Sequence, residues 1–290
     1  MWDRKIIKAW AKQDLAGGRY RKALIVTWVI GIIGGMIPFL FQYAFQIQFA
    51  NRYYAYVAFP ATWEEFIPIG VHSLFTGEEN CWVLYGLFGG LAVLNLFFVQ
   101  KIFQIGQDTF YLQLMQGNGR CRDGFAGFAR GYIRRVAAMA ETALIVALWS
   151  ILFVVPGVVK SLEYSMVPWL LAENPTMTGR EARAISRRMT RGEKGSIFVL
   201  HLSFLGWFLL ANLAAQLPVS FVNVLLFAQT GFFWGASMGG NLVMGLLSAL
   251  TASLVLPYFQ ATGARLYRFL RDRDIFYQSP RVYGGSVNLL

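Results

Sequence analysis

The sequence predicts an all-α polytopic membrane helical bundle, and the distribution of positive charge is the main reason. Of the 26 Lys and Arg residues, 24 fall in residues 1–22, 101–135, 176–195 and 263–290, which long apolar stretches separate. Lys and Arg gather in the short cytoplasmic loops of membrane proteins, so these four stretches are predicted to lie on the cytoplasmic side. The composition agrees, since 56% of the residues are hydrophobic and 14% are charged, compared with about 25% charged in soluble domains.

The first two apolar stretches have the length that a bilayer crossing requires. Residues 23–45 last longer than the apolar core of a cleavable signal peptide, so they are predicted to be a retained first span. Residues 82–102 form the predicted second span. The segment between these spans is the only net-acidic loop, which is typical of the outer face, with Glu64, Glu65, Glu78 and Glu79 against Arg52.

The middle of the chain must cross the membrane an even number of times, because the basic stretches on either side are predicted to share the cytoplasmic side. Pro156-Gly157 lies near the centre of this apolar region, where it can break one long helix into a tight hairpin. We therefore predict spans at 136–155 and 158–173. A shallow re-entrant hairpin is the alternative, because the second arm is short and contains Lys160, Glu163 and Pro168.

The last two spans are predicted at 197–217 and 241–262. They bring the number of spans to six, within a single membrane domain over residues 1–290, with both termini cytoplasmic. The uncharged residues 218–240 join these spans. They are predicted either to lie in the outer interface or to dip back into the bilayer.

A basic amphipathic helix is predicted between the fourth and fifth spans. Thr178 and Glu181 have the spacing of a capping box, and Ala182, Ile185 and Met189 then recur at helical spacing. The remaining faces carry Arg180, Arg183, Arg187, Arg188 and Arg191. This pattern favours a helix on the cytoplasmic leaflet. Its arginines either contact anionic lipid headgroups and stabilise the topology, or form a site for a protein partner or a ligand.

Four ionisable residues within the predicted spans form a candidate intramembrane polar site: Glu141, Lys160, Glu163 and His201. A charge in hydrocarbon costs about 2.5–3.5 kcal/mol on insertion scales. If the four faced one cavity, a proton relay or a substrate pathway would follow. In the alternative, Lys160 pairs with Glu163 near the outer hairpin, Glu141 meets Arg134 or Arg135 at the inner edge, and His201 extends toward the interface.

Catalytic and cofactor motifs receive little support from the sequence. The two histidines, His72 and His201, fall on opposite predicted faces, which argues against a hydrolase triad. The Gly117-Asn118-Gly119 segment lacks the context of a phosphate-binding loop, and the spacing of Cys and His predicts no metal site. The net charge of +11 is assigned to anionic lipid rather than to nucleic acid, because the basic residues flank apolar spans. We predict a non-enzymatic protein without a cofactor.

Several groups of residues recur in the order of a known family. The N-terminal group is Lys8, Ala11, Lys12, Leu15, Gly18 and Tyr20. The central group is Asn174-Pro175, Glu181-Ala182, Ser186, Met189, Gly192 and Lys194, followed by Phe198, Leu202-Ser203-Phe204 and Gly206-Trp207. The closing group is Pro257-Tyr258, Thr262, Ala264, Tyr267 and Leu270. Together they resemble a bacterial integral-membrane family catalogued as domain of unknown function 975. The resemblance implies a polytopic bacterial membrane protein and no established activity.

Two functions of different classes are compatible with these features. The first is a scaffold or accessory protein of the bacterial envelope, located in the bacterial cytoplasmic membrane, whose basic helix meets lipid or a partner on the cytoplasmic face. The second is a small transporter or lipid-handling protein with an intramembrane cavity. A polar cavity reached by Glu141, Glu163 or His201 would favour the second function, whereas a dry packed bundle would argue against it.

Overall fold

The computed structural model describes residues 2–33, 89–91, 94–129, 131–230 and 238–277. These residues are mostly helical and contain no strand, which confirms the all-α prediction for this part of the chain. A π-helical turn at Leu96–Gln100 and a 3-10 helix at Cys121–Phe128 flank the third of the α-helices. The α-helices are α1 (Arg4–Leu15), α2 (19–33), α3 (Lys101–Met115), α4 (Tyr132–Leu152), α5 (Val154–Glu163), α6 (Val167–Glu173), α7 (Gly179–Met189), α8 (Lys194–Thr230) and α9 (Met238–Tyr277).

Within the described residues, three helical segments are long and apolar enough to cross a membrane. They are Tyr132–Leu152, Lys194–Leu226 and Val243–Asp274, and they overlap the predicted spans at 136–155, 197–217 and 241–262. Their length and composition are those of a membrane protein. The predicted spans at 23–45 and 82–102 lie partly outside the described residues. The acidic loop and residues 278–290 lie wholly outside them.

Helix α3 is the centre of the structure. Ten of its fifteen residues are buried, and they include polar Gln107 and Asp108 as well as large apolar side chains. Helix α6 packs against α3, and Val167–Ala172 are all buried. Helix α1 joins the bundle through α9, where the Arg265 guanidinium donates two hydrogen bonds to the buried Asp14 carboxylate. Helices α1, α3, α6 and α9 therefore pack into one core.

Two glycines allow the 3-10 helix to lie directly on α3. A Cβ atom added at Gly106 would stand 1.9 Å from the Gly124 carbonyl oxygen, and one at Gly127 would stand 2.2 Å from the Ile102 carbonyl oxygen. Backbone meets backbone at both points, so no side-chain movement would relieve the overlap. Glycine is needed here for close approach rather than for backbone conformation.

The break between α4 and α5 lies three residues before the predicted turn at Pro156-Gly157. Helix α4 ends at Leu152, and extended Phe153 separates it from α5. Pro156 lies in the first turn of α5, where a missing amide hydrogen costs nothing. A Cβ atom at Gly157 would stand 2.3 Å from the Ser150 hydroxyl oxygen, so this glycine lets the two arms pack closely. The Pro-Gly pair therefore lies in the first turn of α5 and does not form the break between the two helices.

The predicted span at 158–173 is wrong. This stretch is divided between α5 and α6, with a bend at residues 164–166. Helix α6 has seven residues, all of them apolar apart from Glu173, and its apolar residues are buried against protein rather than turned to lipid. A buried helix in a packed core and a membrane span have similar composition, which explains the error.

Most of the uncharged stretch 218–240 belongs to helices α8 and α9 instead of forming a long connecting segment. Helix α8 continues through Pro218 to Thr230, and α9 begins at Met238. Residues 231–237 lie outside the described part of the chain. The two helices therefore extend well beyond the predicted spans at 197–217 and 241–262.

The contact between α3 and the 3-10 helix gives a stability prediction. Gly106→Ala should lower the free energy of unfolding by about 1–3 kcal/mol or more, because the new methyl group overlaps a backbone carbonyl. Gly206→Ala is the matched control, since a Cβ atom on this helical glycine of α8 meets nothing within 4 Å and should gain up to about 1 kcal/mol of helix propensity. Thermal unfolding in detergent measures both variants. Equal melting temperatures would contradict the close packing.

Candidate functional site

Helix α7 begins with the predicted capping box. The Glu181 amide donates to the Thr178 hydroxyl at 3.3 Å, and the Thr178 amide donates to the Glu181 carboxylate at 3.0 Å. These hydrogen bonds lower the pKa of Glu181, because they stabilise its charged form. One face of α7 is buried against the bundle through Ala182, Ser186 and Met189. The helix is therefore part of the folded core.

Three arginines of α7 bind carboxylates on three other helices. Arg183 pairs with Glu141 of α4 at 2.9 Å, and Arg187 pairs with Glu163 of α5 at 3.2 Å. Arg188 makes a bidentate contact with Asp274 of α9, with Nη2 at 2.8 Å from Oδ2. We call these pairs the α7 brace. Arg180, Arg187 and Arg191 are exposed, whereas Arg183 and Arg188 are partly buried.

Glu163 is the most heavily engaged carboxylate of the brace. Lys160 Nζ lies 2.7 Å and Lys194 Nζ 3.5 Å from its oxygens, in addition to the contact with Arg187. Burial alone would raise the pKa of Glu163, but the hydrogen bond from Lys160 and the neighbouring positive charges hold the pKa below its ordinary value. The side chain is 7% exposed, so these partners replace water.

The structure gives the surroundings of three of the predicted polar residues, Lys160, Glu163 and Glu141. Lys160 and Glu163 do pair, but beside α7 rather than near an outer turn, since the Ser186 hydroxyl donates to the Glu163 carbonyl at 2.7 Å. Glu141 meets Arg183 instead of Arg134 or Arg135. Those two arginines donate to backbone carbonyl groups, Arg134 to Thr176 and Arg135 to Ala126 and Gly127.

A cavity of about 470 Å³ lies between α3, α4, α6, α8 and α9. Apolar side chains line much of it, including Met139, Val146, Trp169, Phe259 and Leu266. Lys101, Gln104 and Asp108 line it from α3, and His201 lines it from α8. Of the four residues predicted to share a polar site, His201 alone lines this cavity, so this cavity does not bring the four together.

Asp108 is the functional candidate that the sequence analysis missed. Its side chain is 1% exposed, and its Oδ2 atom has no hydrogen-bond partner among the described residues. Burial raises the pKa of Asp108 well above its ordinary value, because desolvation disfavours the charged form. Its spacing from Lys101 and Gln104 places all three on one face of α3. The available signal was a lone carboxylate seven residues after Lys101, which is the other charged residue of the helix.

A second, smaller pocket lies at the corner between α7 and α8. Its volume is about 360 Å³, and it is lined by Glu163, Arg187, Arg191, Gly192, Lys194 and Gly195. Three basic side chains face one carboxylate here, so the pocket carries excess positive charge.

One known protein family matches the part of the chain that contains most of these residues. A family model described as Protein of unknown function (DUF975) matches residues 133–274. This match confirms the resemblance to that family over residues 133–274. The DUF975 match includes the central and closing residue groups, all four helices of the α7 brace, and the α4, α6, α8 and α9 walls of the larger cavity. Helix α3 and the N-terminal residue group lie outside it. No curated protein and no solved structure matches the chain.

The lowered pKa of Glu163 gives a pH-dependent prediction. A carboxylate whose pKa is lower in the folded state stabilises the protein above its unfolded pKa, and this contribution is lost as the pH falls through the folded value. At pH 7, Glu163→Gln should lower the free energy of unfolding by about 1–3 kcal/mol. The difference in melting temperature from wild type should shrink below about pH 4.3.

The control for this prediction is Asp272→Asn, because the Asp272 side chain is 64% exposed and pairs with a neighbour on its own helix. This variant should change the melting temperature little at any pH. A Glu163→Gln difference that stays constant from pH 7 to pH 3 would show that the charge of Glu163 does not stabilise the fold.

Proposed function

We propose that this protein is a non-enzymatic, lipid-handling protein of the bacterial cytoplasmic membrane, which binds a small amphiphilic molecule in the 470 Å³ cavity. The cavity carries the proposal. Its volume falls within the range of about 300–1,000 Å³ that is typical of small-molecule sites. Apolar walls with a few polar groups, supplied here by Lys101, Asp108 and His201, suit a ligand that has both an apolar and a polar part.

The proposed topology has the α4–α5 hairpin entering the membrane from the cytoplasmic side and returning. Glu141 and Lys160 bracket an uncharged stretch whose longer arm, residues 142–152, rises about 16 Å. The hydrocarbon core is about 30 Å thick, so the tip reaches its middle. Apolar side chains at the tip are strongly exposed, with Ile151 at 82% and Val154 at 76%. Lipid tails would cover this surface.

Helices α8 and α9 are proposed to cross the membrane completely. Residues 238–257 of α9 rise about 30 Å before the helix meets basic α1, which matches the hydrocarbon thickness. With the predicted spans at 23–45 and 82–102, this gives four crossings and one re-entrant hairpin. All four basic stretches still face the cytoplasm, because a hairpin that enters and leaves on the same side adds no complete membrane crossing.

Anionic lipid headgroups are the proposed partners of the smaller pocket. Arg187, Arg191 and Lys194 supply its positive charge, and Glu163 is already engaged by Lys160. A cytoplasmic leaflet that contains anionic lipid attracts such clusters by about 1 kcal/mol per basic residue. A protein partner on the cytoplasmic face would instead meet the exposed Arg180 and Arg191. The scaffold function has less support, since the other arginines of α7 are engaged within the bundle.

Filling the cavity tests the proposed function. Ala143 lines the cavity, whereas the next residue, Leu144, is 58% exposed and faces away from the core. Ala143→Trp should reduce the amphiphile that co-purifies with the protein roughly tenfold, because the indole occupies the ligand's volume. Mass spectrometry of a solvent extract measures the retained amphiphile per protein.

Leu144→Trp is the matched control, since it adds the same side chain one position away. It should retain as much amphiphile as the wild type. Equal retention by both variants and the wild type would contradict binding in this cavity.

A further inference from the structure

The arrangement of charge along α3 indicates what kind of polar group the cavity binds. Lys101 and Asp108 are seven residues apart, so their backbones are separated by about 10 Å along the helix axis. Both side chains line the same cavity. The cavity therefore offers a cation at one end of the helix face and a carboxyl group at the other.

The carboxyl end has an unmet need for a hydrogen-bond donor. Asp108 Oδ2 is buried and has no hydrogen-bond partner among the described residues, and Asp108 is one of the residues that line the cavity. Leaving a buried polar group unpaired costs about 1–3 kcal/mol. A ligand with N–H donors would remove this cost, and an ammonium group would also stabilise the charged form of the carboxylate.

The other end of the cavity suits a negative group. Lys101 begins α3 at the end of the predicted second span, and it is the basic residue that α3 contributes to the cavity. The Lys101 end is therefore closer to the membrane than the Asp108 end. A ligand whose apolar part extends toward the bilayer would place its first polar group near Lys101 and its terminal group near Asp108.

We propose that the cavity binds a zwitterionic phosphoethanolamine headgroup, with the phosphate near Lys101 and the ammonium group at Asp108. This inference rests on the proposed function and specifies its ligand class. The order of the two charges matches the headgroup, in which the phosphate is closer to the acyl chains and the ammonium group is terminal. The same chemistry occurs in the membrane lipid and in the free headgroup, glycerophosphoethanolamine.

Calorimetric titration of the full-length protein in phosphatidylglycerol nanodiscs tests the inference with three probes. They are dihexanoyl phosphatidylethanolamine, its N-acetyl derivative, which lacks the ammonium charge, and glycerophosphoethanolamine. Ala143→Trp protein provides the background from partition into the nanodisc. The wild type should bind the first probe roughly 10–100 times more tightly than the second, as expected for one charged hydrogen bond. Tighter binding of the short-chain lipid than of the free headgroup identifies the lipid as the source.

Two variants separate the roles of the two ends. Asp108→Asn should weaken binding of dihexanoyl phosphatidylethanolamine roughly 10–100-fold and change binding of the N-acetyl derivative by less than about twofold. Lys101→Met should weaken both probes by a similar factor, because both contain the phosphate. The comparison of probes on the wild type keeps the inference testable if Asp108→Asn does not fold.

Each remaining outcome counts against a particular claim. If the wild type binds both lipid probes equally, the ammonium site at Asp108 is wrong while the amphiphile-binding function stands. If neither the lipid probes nor the free headgroup binds above the Ala143→Trp background, and the wild type retains no more amphiphile than that variant, the proposed function fails as well.

Discussion

The structure depends on where the carboxylates of Glu141 and Glu163 are allowed to lie. Both follow or precede apolar stretches, and a charge at the centre of hydrocarbon costs about 2.5–3.5 kcal/mol on insertion scales. The α7 brace removes this conflict, since Arg183 and Arg187 reach the two carboxylates from a helix that lies beside the hairpin. In the proposed topology, the apolar residues beyond the brace are the part of α4 and α5 that enters lipid.

The brace also explains why this basic helix is not simply a surface anchor. An exposed ion pair contributes about 0–1 kcal/mol, and Arg187 is half exposed, so no single pair holds the helix. Glu163, however, is buried and has three basic partners, while Asp274 receives a bidentate arginine. Together these contacts connect α4, α5 and α9 through α7. Because α4 and α9 also wall the larger cavity, the brace fixes the shape of the candidate binding site.

The sequence was sufficient for the features that follow from local chemistry. The capping box at Thr178 predicted the start of α7. The apolar stretches around 136–155, 197–217 and 241–262 predicted the long helices α4, α8 and α9. Residues 158–173 were assigned wrongly because hydropathy does not distinguish a helix buried in protein from one in lipid. The partners of Glu141 could not be predicted, since Arg183 and Arg134 are equally plausible until α7 is placed. Asp108 was missed because its significance comes from burial beside a cavity, which is a property of the tertiary structure.

The depth of the hairpin tests the account most directly. In a variant whose Cys81 and Cys121 are replaced by serine, a spin label on Phe153→Cys reports its position through its accessibility to oxygen and to a water-soluble nickel reagent. The re-entrant hairpin predicts a label near the middle of the bilayer, about 15 Å from the cytoplasmic edge of the hydrocarbon core. Such a label should be highly accessible to oxygen and poorly accessible to the nickel reagent. If a nickel reagent added on the outer side of the membrane relaxes the label, the hairpin crosses the membrane completely. That result would contradict the claim that the α7 brace limits how deeply the hairpin inserts.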